Sequence, residues 1–425
     1  MEIKIDELSK VEGHAKLTVK FDEKTRKVSV CSLEVFESPR YFEVLIKGKD
    51  YDQVPYYAGR ICGICNVAHL IGSTLAVENA LGIEVSEQTK MLRELMVLGG
   101  VIHSHLLHMY MLALPDLLGY ESILDMTSKY SDLIKRGLEL KEIGNDIVRV
   151  IGGRPIHPIT SLVGGFTKLP KQEELNELIK RIERKMPLVV ETIKMMKELV
   201  DKSSSMDVGE EYMSLNHKKH YAMLYGELVS FSGKRFHPKD YKKYLTEEII
   251  DYSTSKHVKL NGKTFMVGPL ARMNIHSDKV SYETKMVMKE FGISFPTNNL
   301  LYAHVARAVE VFEFMQRCLD ILSELNLKNE KVVKPKRKSG YGVSATEAPR
   351  GVLYHAYRIE NGVVKDVDII PPTTQNTACM EDVTKRYIEN TNNKGKKLVH
   401  EIEKLIRTFD PCFSCSAHFL EVDFL

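Results

Sequence analysis

Apolar residues recur at two periods along the chain, and the switches between the periods outline the fold. Residues 15–36 alternate every second position, as "AKLTVKF" and "KVSVCSLEVF" on either side of the charged turn "DEKTRK", and predict a β-hairpin. Helical spacing then takes over, predicting helices at roughly 55–82, 87–116 and 120–150. A further helix at roughly 171–203 is rich in Glu/Lys pairs at helical spacing, the mark of an exposed amphipathic face. Residues 205–275 are mixed and include strand-like runs such as "KTFMVGPL"; helical periodicity returns at 280–291 and 298–326. Residues 351–370 alternate on either side of "ENG", and Asn361-Gly362 suits a turn with positive φ, so a second hairpin is expected there. The tail from about 375 to 408 is helical again. The pattern implies an α+β protein, a predominantly helical body with small antiparallel sheets near the N-terminus and at about 351–370.

Length sharpens this picture: 425 residues call for two subdomains or one large composite core. The sequence shows no repeat, low-complexity segment or clear linker. Hydrophobic residues make up 43% and charged residues 28%, the balance of a globular chain. A net charge of +3 argues against a nucleic-acid partner, and the one dense basic run, "KPKRK" at 334–338, reads as a solvated loop. The N-terminal residues lack a signal-peptide layout. The most apolar stretch, residues 95–118, is interrupted by His103, Ser104, His105 and His108 and reads as a buried helix, so no membrane span is expected. The expected compartment is the cytoplasm.

There are seven cysteines, and in a reducing compartment a disulfide framework is not expected. Four of them form two CxxC pairs, Cys62/Cys65 in "RICGIC" and Cys412/Cys415 in "DPCFSCSAH". Such pairs point to metal or redox chemistry. Cys31, Cys318 and Cys379 stand alone among apolar neighbours, as buried thiols do. Asp410-Pro411 reads as a helix N-cap followed by proline at the first helical position, which would set Cys412 and Cys415 on one face of a first turn. A helix start there would lower thiolate pKa values. His69, one helical turn after Cys65, is placed to donate a hydrogen bond to a thiolate. Structural zinc fits four thiolates, but ribbon-type sites separate their pairs by about 15–20 residues, whereas these lie at opposite ends of the chain. A thioredoxin-like pair would need a βαβ context, which is lacking, and an iron–sulfur cluster stays open on cysteine count. Other segments carry charged or polar groups beside turns: Glu12 in "VEGH", Glu43 in "SPRYFEVLIKG", Pro349-Arg350-Gly351 in "TEAPRG", and "PPTTQN" at 371–376 closing the second hairpin.

Taken together with "GPLAR" at 268–272, these segments resemble the large, catalytic subunit of nickel–iron hydrogenases, in the family's order and over nearly the whole chain. The segment "SHLLHMYMLALPDLLGY" (104–120) resembles the cytosolic multimeric enzymes, nearest to the sulfhydrogenase type that uses NAD(P), with the methyl-viologen-reducing and deazaflavin-reducing types as close alternatives. The resemblance implies that family's fold, with a long central helix bundle, in one composite catalytic domain over 1–418 and a C-terminal maturation extension over 419–425. It implies Cys62 and Cys412 as terminal nickel ligands, and Cys65 and Cys415 as bridges to an iron carrying cyanide and carbon monoxide. Glu12 would relay protons from Cys412, Arg350 would lie over the metals, Pro349 would line the iron-ligand pocket, and Thr373 would hydrogen-bond a cyanide. Glu43 and His418 would hold a magnesium or iron ion near the mature C-terminus. Implied partners are an iron–sulfur small subunit, further electron-transfer subunits of diaphorase-like kind, a maturation endopeptidase and nickel-insertion proteins. Two positions depart from the pattern: Ser104 stands where many relatives have an aspartate, and Gln375 where many have an aromatic residue. A quinone-site relative of the same fold would lack the four cysteines, and a zinc-stabilised interaction protein would leave Glu12 and Arg350 without a role.

Overall fold

The computed structural model describes every residue except 39, 40, 208, 210 and 418–425. Four long helices, Glu87–Leu107, Ile123–Gly152, Gln172–Asp201 and Tyr302–Glu324, pack together as the central body. Their starts follow from local chemistry. The Ser86 hydroxyl accepts from Thr89 N–H, and Ser122 with Asp125 forms a reciprocal capping box. The first two helices cross in backbone contact: a Cβ added to Gly144 would lie 2.5 Å from the Gly99 carbonyl oxygen.

The expected helix at 87–116 runs on to Leu118, but it widens into a π-turn over His108–Ala113 before the short helix Leu114–Leu118. Pro115 has no N–H to offer the preceding turn, and a change of helical pitch absorbs that loss. By length and composition this Glu87–Leu118 run would qualify as a membrane span, contrary to the expectation that none would. Yet 72% of its most apolar window is buried inside the protein, as the sequence reading of a buried helix requires.

The expected helix at 55–82 divides in two, Val54–Ala58 and Asn66–Leu81. Between them the chain loops around a sulfur: Ile64 N–H and Cys65 N–H both point at Cys62 Sγ, at 3.3 Å each. Those donors are satisfied by the side chain, so the backbone leaves the helix. The Asn66–Leu81 helix is then buried along almost its whole length, with Asn79 the exposed exception. A helix buried on all sides in this way needs cover on every side. One cover is the C-terminal sheet of Gly340–Ala348, Gly351–Glu360 and Val363–Ile370, all antiparallel.

Both expected hairpins are present, each with a third strand. Glu2–Ile5 pairs with Ala15–Phe21, which pairs with Val28–Val35. Asn361 and Gly362 turn the second hairpin with φ of 51° and 84°. "KTFMVGPL" does not form a strand: Lys263 and Met266 make isolated bridges, and Pro269 opens the helix Pro269–His276. "PPTTQN" is not a closing loop either, because Pro371 caps and Pro372 begins the helix Pro372–Asn390. The remaining tail helix, Gly395–Thr408, leads directly to the second cysteine pair.

Candidate metal centre

The two CxxC segments meet between the start of the Asn66–Leu81 helix and the end of the chain's described part. All four Sγ atoms lie within 4.8 Å of one another, and all four residues are buried. Cys65 and Cys415 are 3.2 Å apart, Cys62 and Cys412 3.6 Å, and Cys412 and Cys415 2.8 Å. Metal–sulfur bonds of about 2.3 Å place the sulfurs of one centre up to about 4.6 Å apart, and the three short separations here lie inside that range.

The helix start expected at Asp410-Pro411 is absent. Asp410 takes a left-handed backbone with φ of 56°, and the helix begins only at Phe413 and ends at Ser416. Cys412 therefore caps a single turn, and the thiols answer to one another rather than to a helix end. Contacts with Cys412, Cys415 and Cys65 hold the Cys62 thiol well below its ordinary pKa. Burial, followed by the neighbouring sulfurs, pushes Cys412 well above its own. Four buried sulfurs this close cannot all ionise without a cation among them, and soft thiolates select nickel, zinc, copper or iron.

Glu12 meets this cluster directly, its Oε2 lying 2.7 Å from Cys412 Sγ. The backbone sets that contact. Phe413 N–H donates to the Glu12 carbonyl at 2.8 Å, and Glu12 N–H points to the Pro411 carbonyl at 3.4 Å, a parallel bridge between the two ends of the chain. Gly13 permits the approach: its φ is +83°, and a Cβ there would lie 2.5 Å from Ser414 N.

Arg350 is buried beside the thiols. It donates through Nη2 to Asp410 Oδ1 at 3.0 Å and through Nε to the Asp410 carbonyl, while Nη1 has no partner among the described residues. Burial alone would raise the Asp410 pKa, but Arg350 and His108, whose Nδ1 is 3.0 Å from Oδ1, hold it well below the usual carboxylate range. Thr373 Oγ1 accepts from Cys412 N–H at 2.9 Å, which ties the second cysteine pair to the helix Pro372–Asn390. The Pro349 carbonyl accepts from Arg272 at 3.4 Å. His69 is buried one turn behind Cys65, its Nδ1 3.2 Å from His355 Nε2, which continues through Tyr357 to Ser73. Glu43 lies on a separate short helix, Phe42–Ile46. Its carboxylate accepts from Ile369 N–H at 2.8 Å, and burial pushes its pKa up to about 8. His418, its expected companion, lies outside the described residues.

Several supporting residues carried no role in the sequence reading. Arg272 of "GPLAR" is fully buried and forks onto Glu310 at 2.6 and 2.7 Å while reaching Glu347 at 2.8 Å and the Ala348 carbonyl at 3.2 Å. It thereby fixes the strand end that presents Pro349 and Arg350. His105 and Tyr221 complete the Glu310 shell. Ser104, flagged as a departure, is buried with its hydroxyl unpartnered among the described residues. The donor set fits a nickel–iron centre: four convergent soft sulfurs, an adjoining carboxylate, and a buried guanidinium with an N–H to offer an anionic ligand.

Comparison with known proteins agrees with this geometry. A family described as "Nickel-dependent hydrogenase" matches residues 40–137 and 216–418, more than half the chain. The alpha chain of sulfhydrogenase 2 from Pyrococcus furiosus is 34% identical over 99% of this chain and 100% of its own length. A vhc-type F420-non-reducing hydrogenase chain of Methanococcus voltae is 30% identical over 98% of this chain and 94% of its own. The solved structure of an NAD+-reducing NiFe hydrogenase in the H2-reduced state superposes with a TM-score of 0.88 at 25% identity, covering 98% of this chain and 99% of that one. On motif, fold and overall similarity together, the chain belongs to the nickel-dependent hydrogenase family, as a catalytic large subunit.

Proposed function

We propose that this large subunit carries out reversible, heterolytic oxidation of dihydrogen with Cys412 and Glu12 as the proton-handling pair. The observation that carries this is the 2.7 Å contact between Glu12 Oε2 and Cys412 Sγ inside a four-thiol cluster. Bound by the four sulfurs, a nickel–iron centre would supply soft, redox-active coordination that takes up the electron pair of dihydrogen as it is split. Cys412 Sγ accepts the proton, and Glu12 Oε2 stands within hydrogen-bond reach to carry it away. In this reading Cys62 and Cys412 would hold nickel alone, and Cys65 and Cys415, 3.2 Å apart, would be the sulfurs shared with iron. The Arg350 Nη1, unpartnered among the described residues, and the Thr373 hydroxyl would hydrogen-bond cyanide ligands on that iron, beside Pro349, and His69 would support a thiolate. Glu43, with His418, would hold a magnesium or iron ion.

The catalytic unit spans 1–418, and residues 419–425 are an extension removed by a maturation endopeptidase after nickel-insertion proteins have acted. Electrons leave through an iron–sulfur small subunit, because the paired cysteines are already committed to the centre. From there further, diaphorase-like subunits pass them to a soluble carrier. NAD(P) is favoured by the sulfhydrogenase relatives and the NAD+-reducing structural neighbour. A second reading, coupling to a deazaflavin or heterodisulfide-reductase acceptor, is supported by the F420-non-reducing relatives. Seven unbridged cysteines suit a reducing cytoplasm. The test is Glu12→Gln in the assembled enzyme. Dihydrogen/D2O exchange should fall sharply while nickel and iron content stay intact; unchanged exchange would remove Glu12 from the relay.

A further inference from the structure

The segment bearing Glu12 is held at a second place, away from the thiols. Asp116, just past the π-turn, is buried and receives three cationic donors. Arg407 reaches it through Nε at 2.6 Å and Nη2 at 3.1 Å, and Lys10 Nζ reaches it at 2.5 Å. Arg407 also donates through Nη1 to the Ser9 carbonyl at 3.3 Å. One carboxylate thus joins three stretches of chain: the 8–14 segment, the helix Leu114–Leu118, and the helix Gly395–Thr408 that leads into Cys412. Lys10 itself adopts φ of 59°, a left-handed backbone, two residues before Glu12.

We propose that Lys10, Asp116 and Arg407 form a positioning clamp that sets the Glu12 carboxylate against Cys412 Sγ, an inference that rests on the proton-relay reading above. Two links fix Glu12. The backbone bridge to 411–413 fixes it downstream, and the clamp fixes the residues immediately upstream. Neither Lys10 nor Asp116 touches a thiol; they act through Glu12. Asp116 and Arg407 form a buried bidentate pair that also serves folding, because removing one partner strands a buried charge. Lys10 is the separable member. Its side chain is 16% exposed, and its loss leaves the Asp116–Arg407 pair complete.

The experiment is Lys10→Met in the assembled enzyme, measured beside Lys10→Arg and Glu12→Gln. Dihydrogen/D2O exchange in Lys10→Met should fall by about tenfold to a hundredfold, the scale of a misplacement near 1 Å. Nickel and iron content and KM for dihydrogen should be unchanged, and the solvent isotope effect on kcat should rise because proton transfer slows. Lys10→Arg keeps the charge and the reach, and should restore most of the rate. Normal exchange in Lys10→Met with slowed exchange in Glu12→Gln would overturn the clamp alone. Normal exchange in both would overturn the relay beneath it. Loss of metal from Lys10→Met would assign these residues to building the centre rather than to placing Glu12, and would also overturn the proposal.

Discussion

Gly13→Ala probes the contact on which the chemistry depends, without touching a reacting group. Two costs arise. The backbone at position 13 has φ of +83°, a left-handed conformation that costs an L-residue about 1–2 kcal/mol. The new Cβ would also stand 2.5 Å from Ser414 N, and ordinary contact begins at 3.4 Å, so the Glu12–Gly13 strand and the 412–414 turn must part by roughly 0.9 Å. That parting weakens both backbone bonds of the Glu12–Cys412 bridge, worth about 1 kcal/mol each. The local loss is about 2–4 kcal/mol. The Glu12–Cys412 separation stretches from 2.7 Å to about 3.6 Å, a weakened contact to sulfur displaced by nearly 1 Å. Dihydrogen/D2O exchange should drop by up to about a hundredfold, with a lowered urea midpoint and intact metal content. If exchange and urea midpoint both match the wild type, the close approach read from Gly13 is wrong.

Glu310→Gln tests the buried network behind Arg350. Burial would raise the Glu310 pKa, but Arg272 and then His105 bring it down to about 2, so its ionised form stabilises the fold above its unfolded value and that contribution is lost as pH falls toward 2. The stability gap between wild type and Glu310→Gln should be about 3 kcal/mol near neutrality and close progressively below pH 5, which urea titration across pH checks. A gap independent of pH would contradict the ionised assignment. Gly144→Ala should lower the thermal midpoint without altering metal content, since its Cβ would lie 2.5 Å from both Gly99 O and His103 N at the helix crossing.

The helices Ile123–Gly152 and Gln172–Asp201 and the first hairpin were legible because their periods survive in one-sided burial, and the second hairpin was legible through its Asn361-Gly362 turn. The sequence reading missed Gly340–Ala348 because that strand is buried on both faces over Gly342–Ala348 and shows no alternation. It missed Glu2–Ile5, which is short although its burial alternates. The break at 59–65 was hidden because sulfur, not a helix-breaking residue pattern, collects the backbone donors there. At the site, the cysteine pairs, Glu12, Arg350 and Thr373 were legible as motifs, and the fold brings them together. Asp410 was misread as a cap: Asp-Pro before a short apolar run has that signature, whereas its actual work is tertiary, holding Arg350 and His108 from distant elements. Arg272, Glu310 and Asp116 fall in the same class, because a buried ion pair between remote segments leaves no local trace.

The most direct test of the central claim is elemental analysis of the purified, assembled enzyme. Nickel equimolar with this chain, accompanied by iron, is the expected result. Zinc in place of nickel would contradict it.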